Sequence, residues 1–228
     1  MVQPSTIAID GTSASGKSTI GQLLAQRLGY LYFDTGVTYR AVTWAAIQRG
    51  IPIADETAIT RLAQELRIEV LPPTRADGRQ YTVLADGEDV TWAIRRPEVD
   101  HGVSPVSAYP GVREALKQQQ RAIGQAGRVI MAGRDIGTVI MPEAPLKVYL
   151  DARPEVRAQR RYRELLARGQ PAEYEFIYQE MLRRDRIDSN RETAPLRPAD
   201  DAVIVDTSDL GIEEVLELVL ALVDECDP

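Results

Sequence analysis

An α/β fold, a mostly parallel sheet with helices on both faces, is what this chain of 228 residues predicts. Three observations carry the expectation. Short apolar runs alternate with segments of helical spacing along the chain. A glycine-rich octapeptide at 11–18 lies between the first apolar run and the first helical segment. The composition, 44% hydrophobic and 27% charged, is that of a soluble domain that needs no metal or disulfide staple.

The elements follow in order. Residues 6–10 read as an apolar strand, and 11–16 as a loop of small residues. From Lys17 the positions Ile20, Leu23, Leu24 and Leu28 recur at helical spacing, and Gly29 ends that helix. A second strand covers 31–33. A helix over 38–49 closes at Gly50 and Pro52, and Asp55 is a good cap for the next, with Ile59, Leu62, Ala63 and Leu66 on one face. Residues 67–71 and 81–85 read as strands of a small insertion, separated by Pro72-Pro73 and Asp77-Gly78. Pro110 starts a helix carrying Val112, Ala115, Leu116 and Ile123. Short buried strands are expected at 129–131 and 148–150. Pro154 suits the first turn of a helix reaching 168, and another runs over 173–188. A last strand at 202–205 precedes a helix whose face is Ile212, Val215, Leu216, Val219, Leu222 and Val223.

Composition excludes much chemistry. With one cysteine, Cys226, and one histidine, His101, neither a Cys/His zinc site nor a Ser-His-Asp triad is expected. The net charge of −7 disfavours a general nucleic-acid surface. No apolar run is long enough for a membrane span. Residues 1–4 lack the basic and apolar character of a signal peptide, so a cytoplasmic protein is expected. Only Lys17, Lys117 and Lys147 among the 27 basic residues are lysine. That bias fits either genome composition or a site that grips phosphates with bidentate guanidinium forks.

The residues Gly11, Thr12, Ser13, Ala14, Ser15, Gly16, Lys17 and Ser18 fit G-x-x-x-x-G-K-[ST] in the required strand–loop–helix context, with Thr19 next on the helix. Such a loop curls its N–H groups inward, and the helix behind it adds its positive end. Lys17 can reach the β- and γ-phosphates, and the Ser18 hydroxyl can ligate Mg²⁺. No guanine-reading N-K-x-D tetrad occurs, so ATP is the expected nucleotide.

Further basic residues ask for a second anion. Arg153, Arg157, Arg160 and Arg161 recur at spacings of three and four on one predicted helix, facing either phosphate or the acids Glu155 and Glu164. Arg184 and Arg191 are two helical turns apart, about 10 Å. Asp185 and Asp188 are either ligand contacts or helix salt-bridge partners. Arg134 and Asp135 follow one predicted strand, and Asp34 and Thr35 another, at the carboxyl edge where open α/β sheets bind ligands. Asp34 either caps the next helix or takes a water of the Mg²⁺ shell.

In these segments the chain resembles the bacterial cytidylate kinases. The matching stretches are 9–18, 34–40, 112–116, 133–138, 184–185, 188–191 and 194–196. The resemblance implies a P-loop nucleoside monophosphate kinase fold with a five-stranded parallel core. It divides the chain into core at 1–50, 110–152 and 191–228, a monophosphate-binding insertion at 51–109, and a lid with flanking helices at 153–190. It implies transfer of the γ-phosphoryl group of ATP, with Mg²⁺, to CMP or dCMP by a monomer. The loop residues and Thr19 would hold the ATP phosphates. Lys17, Arg157, Arg160 and Arg161 would stabilise the transferring group. Arg40 and Arg134 would hold the acceptor phosphate. Thr35, Arg113 and Asp135 would line the pyrimidine pocket near Arg191, and Ser104, Arg184 and Asp185 would contact the sugar. Two departures stand out: Thr35 where some members carry serine, and Ala132 where some carry an acid.

Within this fold the competitors are kinases of UMP and CMP together, of AMP, or of a small metabolite such as shikimate. The long 51–109 insertion argues against the last two. A regulatory ATP-binding protein with no acceptor is opposed by the arginines outside the loop. An ionised Asp135 can accept from the cytosine amino group, and Arg113 can donate to N3 or O2. Uracil reverses that polarity, so CMP is expected over UMP.

Overall fold

A computed structural model describes residues 3–226. It divides into two compact units, residues 1–30 with 130–228, and residues 31–129.

The first unit holds the strands that position the phosphate loop. Strand β1 (Thr6–Gly11) is wholly buried, with Ile7, Ala8 and Ile9 at its centre. Its parallel partner β7 (Leu146–Asp151) sets Gly11 opposite Leu150. Strand β8 (Val203–Asp206) pairs in parallel with β7, Val148 opposite Val203 and Asp151 opposite Asp206. With β2 (Leu31–Asp34) and β6 (Val129–Gly133) these strands form a five-stranded parallel sheet of order β2-β6-β1-β7-β8. The fold class expected from alternation is therefore the observed one.

Helix α1 (Lys17–Leu28) buries Ile20, Leu24 and Ala25, and α8 (Ile212–Glu225) packs on α1 and β7 through Val215, Leu216, Val219 and Val223. Helix α6 (Pro154–Ala167) starts on its proline, whose missing N–H costs nothing in a first turn. It packs against α7 (Tyr174–Asn190). Between β6 and β7, residues Ile136–Ile140 form a short turn of π-helical type.

In the second unit α2 (Gly36–Gln48) packs on α4 (Pro97–Ala108), and α3 (Glu56–Glu65) on α5 (Pro110–Gln125). Asp55 caps α3 by accepting the Ala58 N–H at 3.0 Å. A small antiparallel sheet of β3 (Ile68–Leu71), β4 (Thr82–Ala85) and β5 (Glu88–Asp89) occupies the strand-rich stretch. The buried Arg79 beside it is satisfied by Asp77, Asp89, Thr82 and Thr91.

Sequence periodicity gave no element for 97–108, because Gly102 and Pro105 interrupt it. The helix forms because Val99, Val103 and Val106 share one buried face. Gly102 also lets the backbone approach α2: a Cβ there would stand 2.8 Å from the Thr43 methyl.

Candidate active site

The loop after β1 is shaped by its glycines. Gly11 adopts φ +146°, and a Cβ on it would fall 1.9 Å from the Leu150 carbonyl oxygen. Gly16, at φ +101°, leads into α1 with no side chain capping the helix. Ala14 holds φ +58°, a left-handed conformation that strains a non-glycine residue by about 1–3 kcal/mol. Such strain persists only where neighbours fix the backbone, and here they do. Ser15 Oγ donates to Thr12 O at 3.0 Å, and Thr12 Oγ1 to Asp151 at 3.0 Å. Lys17 Nζ donates to the carbonyls of Gly11 and Thr12, holding its ammonium over the loop. Ser18 and Thr19 are exposed at the start of α1.

The α6 arginines have separate tasks. Arg157 is buried. It donates to Ala152 O at 2.8 Å, to Ser13 O at 3.3 Å and to Asp185 at 2.7 Å, tying the loop to β7 and α7. Arg160 donates to the Thr207 hydroxyl and carbonyl. Thr207 in turn lies within hydrogen-bond reach of the Ser15 and Asp151 carbonyls. Arg161 pairs with Glu164 on its own helix, and Arg153 forms a fork with the exposed Asp209. The four guanidinium groups thus engage separate protein partners rather than one common anion.

Asp10 precedes the loop. It is 4% exposed, and its carboxylate accepts the Ile136 N–H at 2.8 Å and the Gly137 N–H at 2.7 Å. Burial raises its pKa to about 6, against the lowering effect of those N–H groups and of Lys17, while Asp135 adds to the rise.

A second charged cluster in the same unit centres on Asp188. This buried carboxylate pairs with Arg134, lies 3.6 Å from Arg191 and 3.9 Å from Arg184. Arg191 also lies 3.8 Å from Asp135 and donates to Ala194 O. Four residues expected at the acceptor, Arg134, Asp135, Arg184 and Arg191, are therefore brought together. Asp185 stands apart, on Arg157. Asp188, for which sequence left a mere helix salt bridge open, is the hub.

In the unit of residues 31–129, Thr35 is buried at the start of α2, and Asp34 accepts the Gly36 N–H at 2.9 Å in a capping role. Arg40 pairs with Asp100 and donates to Ile94 O. Arg113 is buried, donates to Ser107 O at 3.0 Å and lies over the Tyr39 ring. Ser104 is half-buried on α4.

Among the described residues no group of three or more His, Cys, Asp or Glu could hold a metal ion. The exposed Ser18 hydroxyl at the start of α1 is an oxygen donor of the kind Mg²⁺ takes. Sequence reading missed Asp10, Asp188 as hub, and Thr207. An acid closing an apolar strand was a usable signal for Asp10; Thr207 gave none.

Comparison with known proteins gives the family. A curated cytidylate kinase of Herpetosiphon aurantiacus is 53% identical over 98% of this chain and 96% of its own length. One of Chloroflexus aggregans is 54% identical over 95% and 93%, and one of Geobacillus kaustophilus 47% over 96% of each. A crystal structure of shikimate kinase from Bacteroides thetaiotaomicron shares the fold, with TM-score 0.50 and 13% identity over 96% of this chain and 98% of that one. Residues 7–225 match the family model described as cytidylate kinase, and with these relatives the chain belongs to the cytidylate kinase family.

Proposed function

We propose that the protein transfers the γ-phosphoryl group of ATP to CMP and dCMP, giving CDP or dCDP and ADP. Phosphoryl transfer asks for alignment and charge stabilisation more than covalent help. The observation that carries the reading is the duplication of phosphate-gripping chemistry. A phosphate loop with its lysine serves a triphosphate, and the arginines gathered on Asp188 are more than ATP alone needs. Membership of the cytidylate kinase family supports the choice of acceptor.

On this reading Lys17 and the loop N–H groups, with Thr19 behind them, bind and orient the β- and γ-phosphates. Mg²⁺, held by Ser18 and the nucleotide, supplies further charge neutralisation. Asp34, already engaged with the Gly36 N–H, would contribute at most through water. Arg157 fixes the loop at Ser13, and Arg160 fixes it through Thr207, so both act on the phosphates by placing the cradle. Arg161, on its outward side of α6, would have to leave Glu164 to reach a phosphate.

The acceptor phosphate is assigned to Arg134 and Arg40. The base is assigned to Thr35, Arg113 and Asp135, with Arg191 holding Asp135 in place, and the sugar to Ser104 and Arg184. Asp188 replaces Asp185 in that last group, because it and not Asp185 carries the arginine cluster. Opposed anions repel, and the guanidinium groups offset that repulsion while keeping attacking and leaving oxygens in line. A monomer acting in the cytoplasm, with no nucleic-acid partner, completes the proposal. No helix among the described residues is long and apolar enough to cross a membrane.

The test is ADP release from ATP and Mg²⁺ with CMP, dCMP, UMP, AMP or shikimate as acceptor. Release that depends on CMP or dCMP supports the proposal. ATP consumption equal in every tube, acceptor or none, contradicts it.

A further inference from the structure

We propose that Asp10 is a positioning residue for the acceptor: by capping the turn at Ile136 and Gly137 from another strand, it fixes the segment that carries Arg134 and Asp135. The inference rests on the proposed CMP kinase reading and adds a residue to it.

The argument starts from the turn. Its internal bonds run forward from Asp135 O to the N–H groups of Val139 and Ile140, and from Ile136 O to that of Met141. The N–H groups of Ile136 and Gly137 lie at its open start, where a helical segment has no partner of its own to offer. An aspartate at the position before such a turn ordinarily folds back to accept one of them. Asp135 stands there and makes no such bond. Asp10 makes both instead, one N–H to each oxygen. The Asp135 carboxylate lies 3.8 Å from Arg191, on the side of the arginine cluster.

The turn is closely backed by Lys147: a Cβ on Gly137 would lie 3.1 Å from the Lys147 stem, and 3.4 Å from the Asp10 carboxylate. A carboxylate at this depth costs several kcal/mol to desolvate unless its oxygens are satisfied, so its bonds to the turn are not incidental. Asp10 lies one residue before Gly11. One side chain therefore joins the origin of the phosphate loop to the segment that carries Arg134 and Asp135. The charged and titratable groups facing it are Lys17 after the loop, Asp135 on the turn and Tyr149 on β7. The Lys147 stem packs nearby while its ammonium is engaged by Asp201.

Asp10→Asn tests the assignment. Asparagine keeps the volume but offers one acceptor oxygen and turns an amide donor toward the second N–H. Losing one buried hydrogen bond this way should raise KM for CMP about tenfold or more. KM for ATP should stay within about twofold. The ratio of the two enzymes' KM for CMP should also shrink from about pH 8 to about pH 5, as Asp10 of the unaltered enzyme takes up its own proton. Titration of the CMP phosphate is common to both enzymes and cancels in that ratio. If Asp10→Asn does not fold, Gly137→Ala strains the same turn through the Lys147 stem, 3.1 Å from the added Cβ, and should give the same CMP-selective rise. Equal effects on both substrates, or none, would overturn the inference while leaving the proposed function intact. An unaltered enzyme inactive on CMP would overturn the proposed function and this inference with it.

Discussion

Replacing Arg157 with alanine separates two roles a lid arginine can have. One is a hand laid on the γ-phosphate; the other is a brace beneath the loop. The structure gives it the second. Its guanidinium is 3% exposed and its partner Asp185 is 19% exposed. It reaches Ser13 O, Ala152 O and Asp185 at once. Truncation leaves the Asp185 charge without its cation, two carbonyls bare and a void behind the loop. Breaking a buried ion pair from one side costs about 3–5 kcal/mol. For a chain of this size each kcal/mol is worth about 2–4 °C of melting temperature, so Arg157→Ala should melt roughly 6–20 °C lower. Screening hardly touches a buried pair, so the loss should persist in about 0.5 M salt. The assay is thermal unfolding followed by circular dichroism, alongside steady-state kinetics. Arg157→Met combined with Asp185→Leu should recover much of the stability but not the hold on Ser13, so KM for ATP stays raised. An Arg157→Ala enzyme that melts within about 2 °C of the parent while transfer collapses would refute the brace. It would mean the guanidinium leaves Asp185 to work on phosphate.

Lys17→Ala should leave the melting temperature nearly unchanged, since its ammonium donates to the carbonyls of the loop itself, yet lower kcat by about 100- to 1000-fold. Asp188→Asn should raise KM for CMP by about tenfold or more with little effect on ATP, because the arginines around it lose the charge that gathers them; Asp185→Asn should lower stability, as Asp188→Asn also does, but without that CMP-selective rise. In unfolding at varied pH, Asp10 should oppose the usual acid trend. Its folded pKa of about 6 exceeds the unfolded 3.8, so the folded state binds the proton more readily and this group's contribution to stability declines as pH rises from about 4 to about 6. The expected change is about 2 kcal/mol across that window. A stability difference between Asp10→Asn and the parent that is flat over that range would contradict it.

The phosphate loop was legible because its rules are local. Gly11 and Gly16 meet conformations that side chains resist, and Lys17 follows Gly16 directly as the first residue of α1. The strands of the core were legible because buried apolar runs such as 129–131 and 148–150 have few other uses. Helix α4 was not, since Pro105 and Gly102 break its periodicity and only packing of Val99, Val103 and Val106 restores it. The arginines mark the limit most clearly. Helical spacing put Arg157, Arg160 and Arg161 near one another and offered Glu164, three residues from Arg161, but Ser13 and Thr207 lie 144 and 47 positions from Arg157 and Arg160. The choice between Asp185 and Asp188 likewise turned on which face of α7 meets Arg157 and which meets Arg134. Three residues along a helix is nearly one turn, and spacing alone does not assign such a pair.

Base selection probes the acceptor assignment most directly. Asp135 only accepts and Arg113 only donates, which matches the amino group and ring acceptor of cytosine and mismatches the O4 and N3–H of uracil. Each buried mispairing costs about 1–3 kcal/mol. The ratio of kcat/KM for CMP to that for UMP, measured on the unaltered enzyme at saturating ATP, should therefore be about tenfold or greater. Equal values for the two nucleotides would contradict the assignment.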